Sequence, residues 1–148
     1  MVWGCMSSAG VGNLTFVEGN MNRFSYLDIL KANVKQSVTK LGIESNFAFY
    51  QDNDPKHTSE VAKMWLIHNC PKLLQPPPQS PDLNVIEHVW EELARRVYKN
   101  RFSSINDLKS AIMAEWLKIQ PDFCKKLVES MPRRLQAVLT AKGYATKY

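Results

Sequence analysis

Two acidic positions stand out by chemistry and by place. Asp52, with Asp54 two positions on, follows the apolar run Asn46-Phe47-Ala48-Phe49-Tyr50-Gln51, and Glu87 opens a helical stretch after a proline-rich segment. A carboxylate at the C-terminal end of a buried strand, just ahead of a helix, sits where open α/β sheets place ligands. Carboxylate oxygens also suit Mg²⁺, which takes one or two of them together with substrate phosphate. Taken singly, each position has a plainer reading. Asp52-Asn53-Asp54-Pro55 is ordinary turn chemistry. Asn84-x-x-Glu87 resembles a capping box, and an acid in a first turn suits the helix dipole.

The remaining reactive residues narrow the chemistry. His57 and His88 each lie near one of these acids, so a His–carboxylate pair for general base work is conceivable. No serine or cysteine motif accompanies them, which argues against a hydrolase triad. His68 and Cys70 lie close together, but no second pair of ligands follows, so zinc is not indicated. Cys5, Cys70 and Cys124 are odd in number and form no CxxC pattern. Buried free thiols are the expectation.

The elements that must position the acids follow from periodicity. Val2–Met6 and Leu14–Val17 read as strands of a hairpin, with Ser7–Gly12 as turn. Phe24, Leu27, Leu30, Val34, Val38 and Leu41 recur at helical spacing until Gly42. The run 46–51 is expected to be a strand buried on both faces. Thr58 or Ser59 then caps a helix carrying Val61, Ala62, Trp65 and His68, and Lys72–Leu74 is a further short strand. Pro76 to Pro81 form a stiff connector.

From Ile86 onward the chain reads as helix. Ile86, Val89, Trp90, Leu93 and Val97 form one stripe, and Ile105, Leu108, Ile112, Trp116 and Ile119 form another behind a Ser104–Asp107 capping box. Shorter segments flank Pro132. Glu91 and Glu92 have Arg95 and Arg96 at i+4 to pair with. The organisation is therefore α/β: 1–75 sheet and packing helices, 76–84 connector, 85–148 helical part. The 148 residues suit one domain, and 45% hydrophobic content excludes a disordered tail. No apolar run reaches membrane-spanning length, and with Arg23 as the first basic residue no secretory leader is expected.

Charge is unevenly spread. Residues 1–87 hold 7 basic and 8 acidic side chains, whereas 88–148 hold 12 and 6. The basic segment, with Arg95, Arg96, Lys99, Arg101, Arg133 and Arg134, suits a polyanion such as DNA, although a solvated helical face explains it equally well.

The motifs gain meaning together. QDNDPKHTS (51–59) ends a strand, SPDLNVIEHVWEEL (80–93) opens a helix, and 34 residues separate Asp52 from Glu87. In these features the chain resembles the catalytic domain of the mariner-superfamily DDE transposases. MVWGCMSSAGVGNLTFVEGNMN is similar to that family's second and third strands, and FSYLDIL to the start of its first sheet-packing helix. The resemblance implies a ribonuclease-H-like mixed sheet, nuclear location, and DNA as partner at transposon ends and target, while self-association is expected only if strand edges stay unpaired. It also implies Mg²⁺ or Mn²⁺ and a two-metal mechanism of strand cleavage and transfer. Asp52 then matches the second metal-binding acid and Glu87 the third, while Lys56 and His57 shape the loop or touch phosphate.

Two departures qualify this. Val85 stands where the family commonly has proline, a mild change. The family's first acid lies on a central strand upstream of MVWGC. Asp28, inside a helix, does not replace it. The sheet is thus expected to lack its central strand, and the chain to be inactive alone. Either Val2–Met6 pairs directly with 47–51, or the gap stays open with two unpaired edges. The competing reading is a non-catalytic DNA-binding or interaction module derived from a transposase.

Overall fold

A hairpin opens the structure. In this computed structural model, which describes every residue except 79, 143 and 145, β1 (Val2–Ser7) pairs antiparallel with β2 (Gly10–Phe16). Gln79, within the expected connector, lies outside the described residues. The turn is shorter than Ser7–Gly12, because Gly10 to Gly12 belong to β2. Gly10 enters the strand at φ 130°, a conformation that only glycine adopts without strain. At Gly12 a Cβ would lie 2.8 Å from Ser37 Cβ and 2.6 Å from Cys5 Sγ, so glycine lets the strand press against the helix behind it.

That helix is α1 (Arg23–Leu41), started by a capping box between Asn22 and Ser25 that the apolar pattern did not reveal, and ended by Gly42 in the left-handed conformation. Its buried face is Tyr26, Leu30, Val34 and Ser37, rotated from the expected stripe, and Phe24 is 55% exposed. The rotation has a cause in β2: Ser37 Oγ accepts the Asn13 N–H at 2.9 Å, while Asn13 Nδ2 donates to Asn33 and Gln36. Polar contacts with the hairpin edge thus select the face.

Next come β3 (Ala48–Tyr50), α2 (Glu60–Asn69) and β4 (Lys72–Leu74), with β3 parallel to β4. The expectation of a strand over 46–51 buried on both faces is corrected here. Only three residues are strand, none is fully buried, and Ala48 is exposed. The reason lies in the pairing. Among the described residues β1 bonds to β2 and β3 to β4 in two separate sheets, so β3 has a partner on one edge only. Of the two outcomes considered for the sheet, the open one is found.

A 3-10 turn, Pro81–Leu83, leads to α3 (Ile86–Val97), α4 (Ile105–Leu117), α5 (Pro121–Glu129) and α6 (Met131–Thr140), whose first turn holds Pro132. Two cores result. The hairpin, α3, α4 and α5 enclose Val11, Leu14, Val89, Leu93, Val97, Trp116 and Cys124. Helices α1 and α2 enclose Tyr26, Leu30, Val34, Ala62 and Leu66, with Trp3, Phe49 and Trp65 packed against them. Cys70 and Cys124 are buried free thiols, as expected, and Cys5 is half-buried. Among the described residues no helix is long and apolar enough to cross a membrane.

Candidate functional site

Asp52 lies two positions past the end of β3, and Glu87 is the second residue of α3. Strand and helix lie on opposite sides of the proline-rich segment, and the fold brings their ends together. A cleft of about 220 Å³ is lined by Asp52 and Glu87 along with Tyr50, Asn53, Pro76, Pro77, Ser80, Pro81 and Asn84. Asn53 Nδ2 donates to the carbonyls of Pro76 and Pro77, tying the two walls.

Each acid is held by neighbours. His57 Nδ1 meets Asp52 Oδ1, and since a carboxylate only accepts, the nitrogen carries the proton in this contact. Gln51 Nε2 donates to the His57 carbonyl, the Tyr26 hydroxyl donates to Gln51 Oε1, and the rings of Tyr26 and His57 lie 4.2 Å apart. The buried Tyr26 on α1 thereby anchors the loop that presents Asp52. Asn84 Nδ2 donates to Glu87 Oε1 at 3.1 Å. This corrects the capping-box expectation, because the Asn84 side chain holds the Glu87 carboxylate and caps no backbone N–H; Val85 is the cap residue. Burial, and after it the nearby Asp52 charge, push the Glu87 carboxyl above its ordinary pKa, with His88 pulling the other way.

The donor set fits a hard divalent ion in kind, both groups being carboxylates. The buried Tyr50 hydroxyl in the same wall has no hydrogen-bond partner among the described residues, which leaves a polar contact for the shell of such an ion. It falls short in number. Among the described residues no group of three or more His, Cys, Asp or Glu converges.

The other candidates are distributed differently. Lys56 Nζ pairs with Asp54 at 3.2 Å and its N–H also bonds Asp54, so both serve the loop. His88 meets Glu91, not Glu87, and His68 donates to the Met64 carbonyl. Arg95 and Arg96 both bind Glu92, where the i+4 rule assigned Arg95 to Glu91. Lys99 and Arg101 are exposed and in no ion pair among the described residues, and Arg133 is exposed. Arg134 is 3% exposed, so its inclusion among residues open to DNA is corrected. A partner from the tail covers it, and helical periodicity does not show that.

The twin arginines hold the Glu92 carboxyl down to about 2 from 4.5, through their hydrogen bonds first. A depressed acid stabilises the fold above its unfolded pKa, and that stabilisation is lost as pH falls through the folded value. Glu92→Gln is therefore expected to cost about 1 kcal/mol or less at pH 7. The difference from the parent should shrink between pH 4.5 and 2. Urea unfolding at pH 7, 4 and 2 reads this directly, and a difference constant with pH contradicts it.

Comparison with known proteins adds to this geometry. A family model described as DDE superfamily endonuclease matches residues 1–109. Over its whole length the chain is 45% identical to the Tcb1 transposable element transposase of Caenorhabditis briggsae and 43% identical to the Tc1 transposase of Caenorhabditis elegans, covering 54% of each. The chain thus spans about half the length of these curated relatives. The catalytic domain of the Mos1 mariner transposase matches the fold with a TM-score of 0.87, at 17% identity, over 99% of this chain and 75% of that one. A Mos1 paired-end complex with the left transposon end matches at 0.88 over 99% of this chain and 44% of that one, also at 17% identity. Mos1 catalytic-domain structures with Mn and with Mg are among the matches. At that identity the likeness shows the fold, which is ribonuclease-H-like.

Proposed function

Since this chain belongs to the DDE superfamily endonuclease family, we propose that it carries two acids of a transposase active site that cuts transposon-end DNA and joins it to a target in the nucleus. The observation that carries the reading is the meeting of Asp52 and Glu87, from separate elements, at one cleft. Divalent cations held there would activate an attacking oxygen and stabilise a leaving one. Asp52 and Glu87 are the residues that would hold them. Tyr26, Gln51 and His57 keep Asp52 at the strand end, and Asn84 keeps Glu87 turned into the cleft. Two carboxylates suffice for one ion whose other ligands are water and phosphate, and not for a pair.

Titrating the chain with Mn²⁺ and following the signal of free ion tests the site. One site per chain is expected, weakened at least about tenfold in either Asp52→Asn or Glu87→Gln, a charge-assisted ligand being worth over 1.4 kcal/mol. Binding that neither substitution disturbs refutes the assignment.

DNA engagement is the second part of the proposal. With Arg95 and Arg96 committed to Glu92 and Arg134 buried, Lys99, Arg101 and Arg133 remain to meet phosphates. Binding to duplex DNA should be weak and sequence-independent. A substitution that releases one phosphate, Lys99→Ala or Arg101→Ala, should flatten the slope of log affinity against log salt by about 0.9. A slope unchanged in both variants places the DNA elsewhere. Self-association through the open strand edges belongs to the same proposal, and sedimentation at rising concentration tests it.

A further inference from the structure

The turn that delivers Glu87 has little local support. Neither Ser80, before the 3-10 turn, nor Val85, before α3, makes a side-chain cap. Beyond its own backbone bonds, the turn is held by groups 52 and 64 residues further on. Arg134 on α6 donates from Nη1 to the Asp82 carbonyl at 2.9 Å and from Nε to Ser130 Oγ at 2.8 Å. The Tyr148 ring lies 4.5 Å from its guanidinium carbon, and the Thr146 N–H donates to Asp82 Oδ2 at 2.9 Å. A guanidinium is costly to bury without partners, and here Nε and Nη1 each donate while one face lies against the Tyr148 ring. Leu83, the last residue of the turn, is buried, and Asn84 beside it holds the Glu87 carboxylate.

The geometry points to Arg134, clasped by Tyr148, as a positioning residue for Glu87: helix α6 and the tail brace the turn 81–83 and so fix where the acid enters the cleft. The inference rests on the reading of Glu87 as a site acid. It gives a site role to residues outside the 1–109 segment that the family model matches. Lysine keeps the charge but is a point donor without the planar fork, so it cannot reproduce the spaced Ser130 and Asp82 bonds while laying a flat face on Tyr148.

The test compares Arg134→Lys, Tyr148→Ala and Tyr148→Phe in the full chain. Native-state hydrogen exchange is read at the amides of Leu83, Asn84 and Glu87, which bond to Ser80, Pro81 and Asn84. The first two variants are expected to speed exchange at these amides about tenfold, roughly what one charged hydrogen bond is worth. Amides of β2 and α4 should stay within about twofold, as local opening requires. The Asn84 side-chain amide resonances should shift toward those of a free amide. Tyr148→Phe, which keeps the ring, should match the parent. Faster exchange spread evenly over the chain makes Arg134 a merely structural contact and overturns the inference. So does an unchanged Asn84 side-chain signal. Mn²⁺ titration of the same proteins reads the underlying assignment separately: a parent chain that binds no ion refutes the metal site, while the exchange and amide data still decide the brace.

Discussion

Replacing Trp116 with alanine is expected to remove about 3–5 kcal/mol of stability, enough to leave a domain of this size unfolded or barely folded. Trp116 is fully buried between the hairpin and α3, and its ring stacks on Trp90 with centroids 5.1 Å apart. Its indole N–H donates to the Gly12 carbonyl at 3.0 Å, inside the core. Alanine therefore empties the largest buried volume and also removes the nearer of two donors to the Gly12 carbonyl, leaving only Lys40 Nζ at 3.3 Å, two costs that add. Trp116→Phe separates them. It keeps one six-membered ring and loses the donor with the rest of the indole, so a smaller cost of about 1–3 kcal/mol is expected. Urea midpoints at constant slope measure both. A Trp116→Ala protein within about 1 kcal/mol of the parent would mean that this packing is not the native one.

The second expectation concerns chemistry. A chain lengthened at its N-terminus by one β-strand bearing an aspartate should nick transposon-end DNA with Mn²⁺ at least about 10³-fold faster than the 148 residues alone. A second well-placed ion is worth several kcal/mol, and each 1.36 kcal/mol is tenfold in rate. The resemblance puts that strand between the hairpin and the strand ending at Asp52. The structure has β1 and β3 in separate sheets, both contributing side chains, Trp3 and Phe49, to the core over α1 and α2. Among the described residues the outer edges of β1 and β3 have no strand partner, so an added strand has backbone to bond on both sides and is expected to bring a third carboxylate toward Asp52 and Glu87. The added strand with alanine for aspartate should fold and not cut, and Asp52→Asn should abolish cutting in the lengthened chain. Specific nicking by the 148 residues alone that disappears in Asp52→Ala would show that two acids suffice, and the two-ion argument would fall.

Much of this was legible in the residues. Helices α1, α3 and α4 follow from apolar spacing, the hairpin from two β-prone runs and a glycine-bearing turn, and the acids from the motifs around Asp52 and Glu87. These features depend on neighbours three or four positions away, or two across a strand, so local order carries them. Departures arose where a distant group intervened. The buried face of α1 was offset because Ser37 answers the Asn13 N–H of the hairpin. Residues 10–12 joined β2 because Gly12 must lie against Cys5 and Ser37. Asn84 turned to the Glu87 side chain and not to the helix backbone.

By itself the sequence determined the order of elements, the separation of Asp52 and Glu87, and the basic excess after residue 87. Tertiary structure alone decided that Arg134 is sealed while its neighbour Arg133 is exposed, and that Trp116 finds Gly12 across 104 positions. The physical reason is one of range. Periodicity records which face of an element is apolar, but a buried charge depends on which distant backbone groups are left to satisfy it, and only the assembled chain brings those groups within bonding distance.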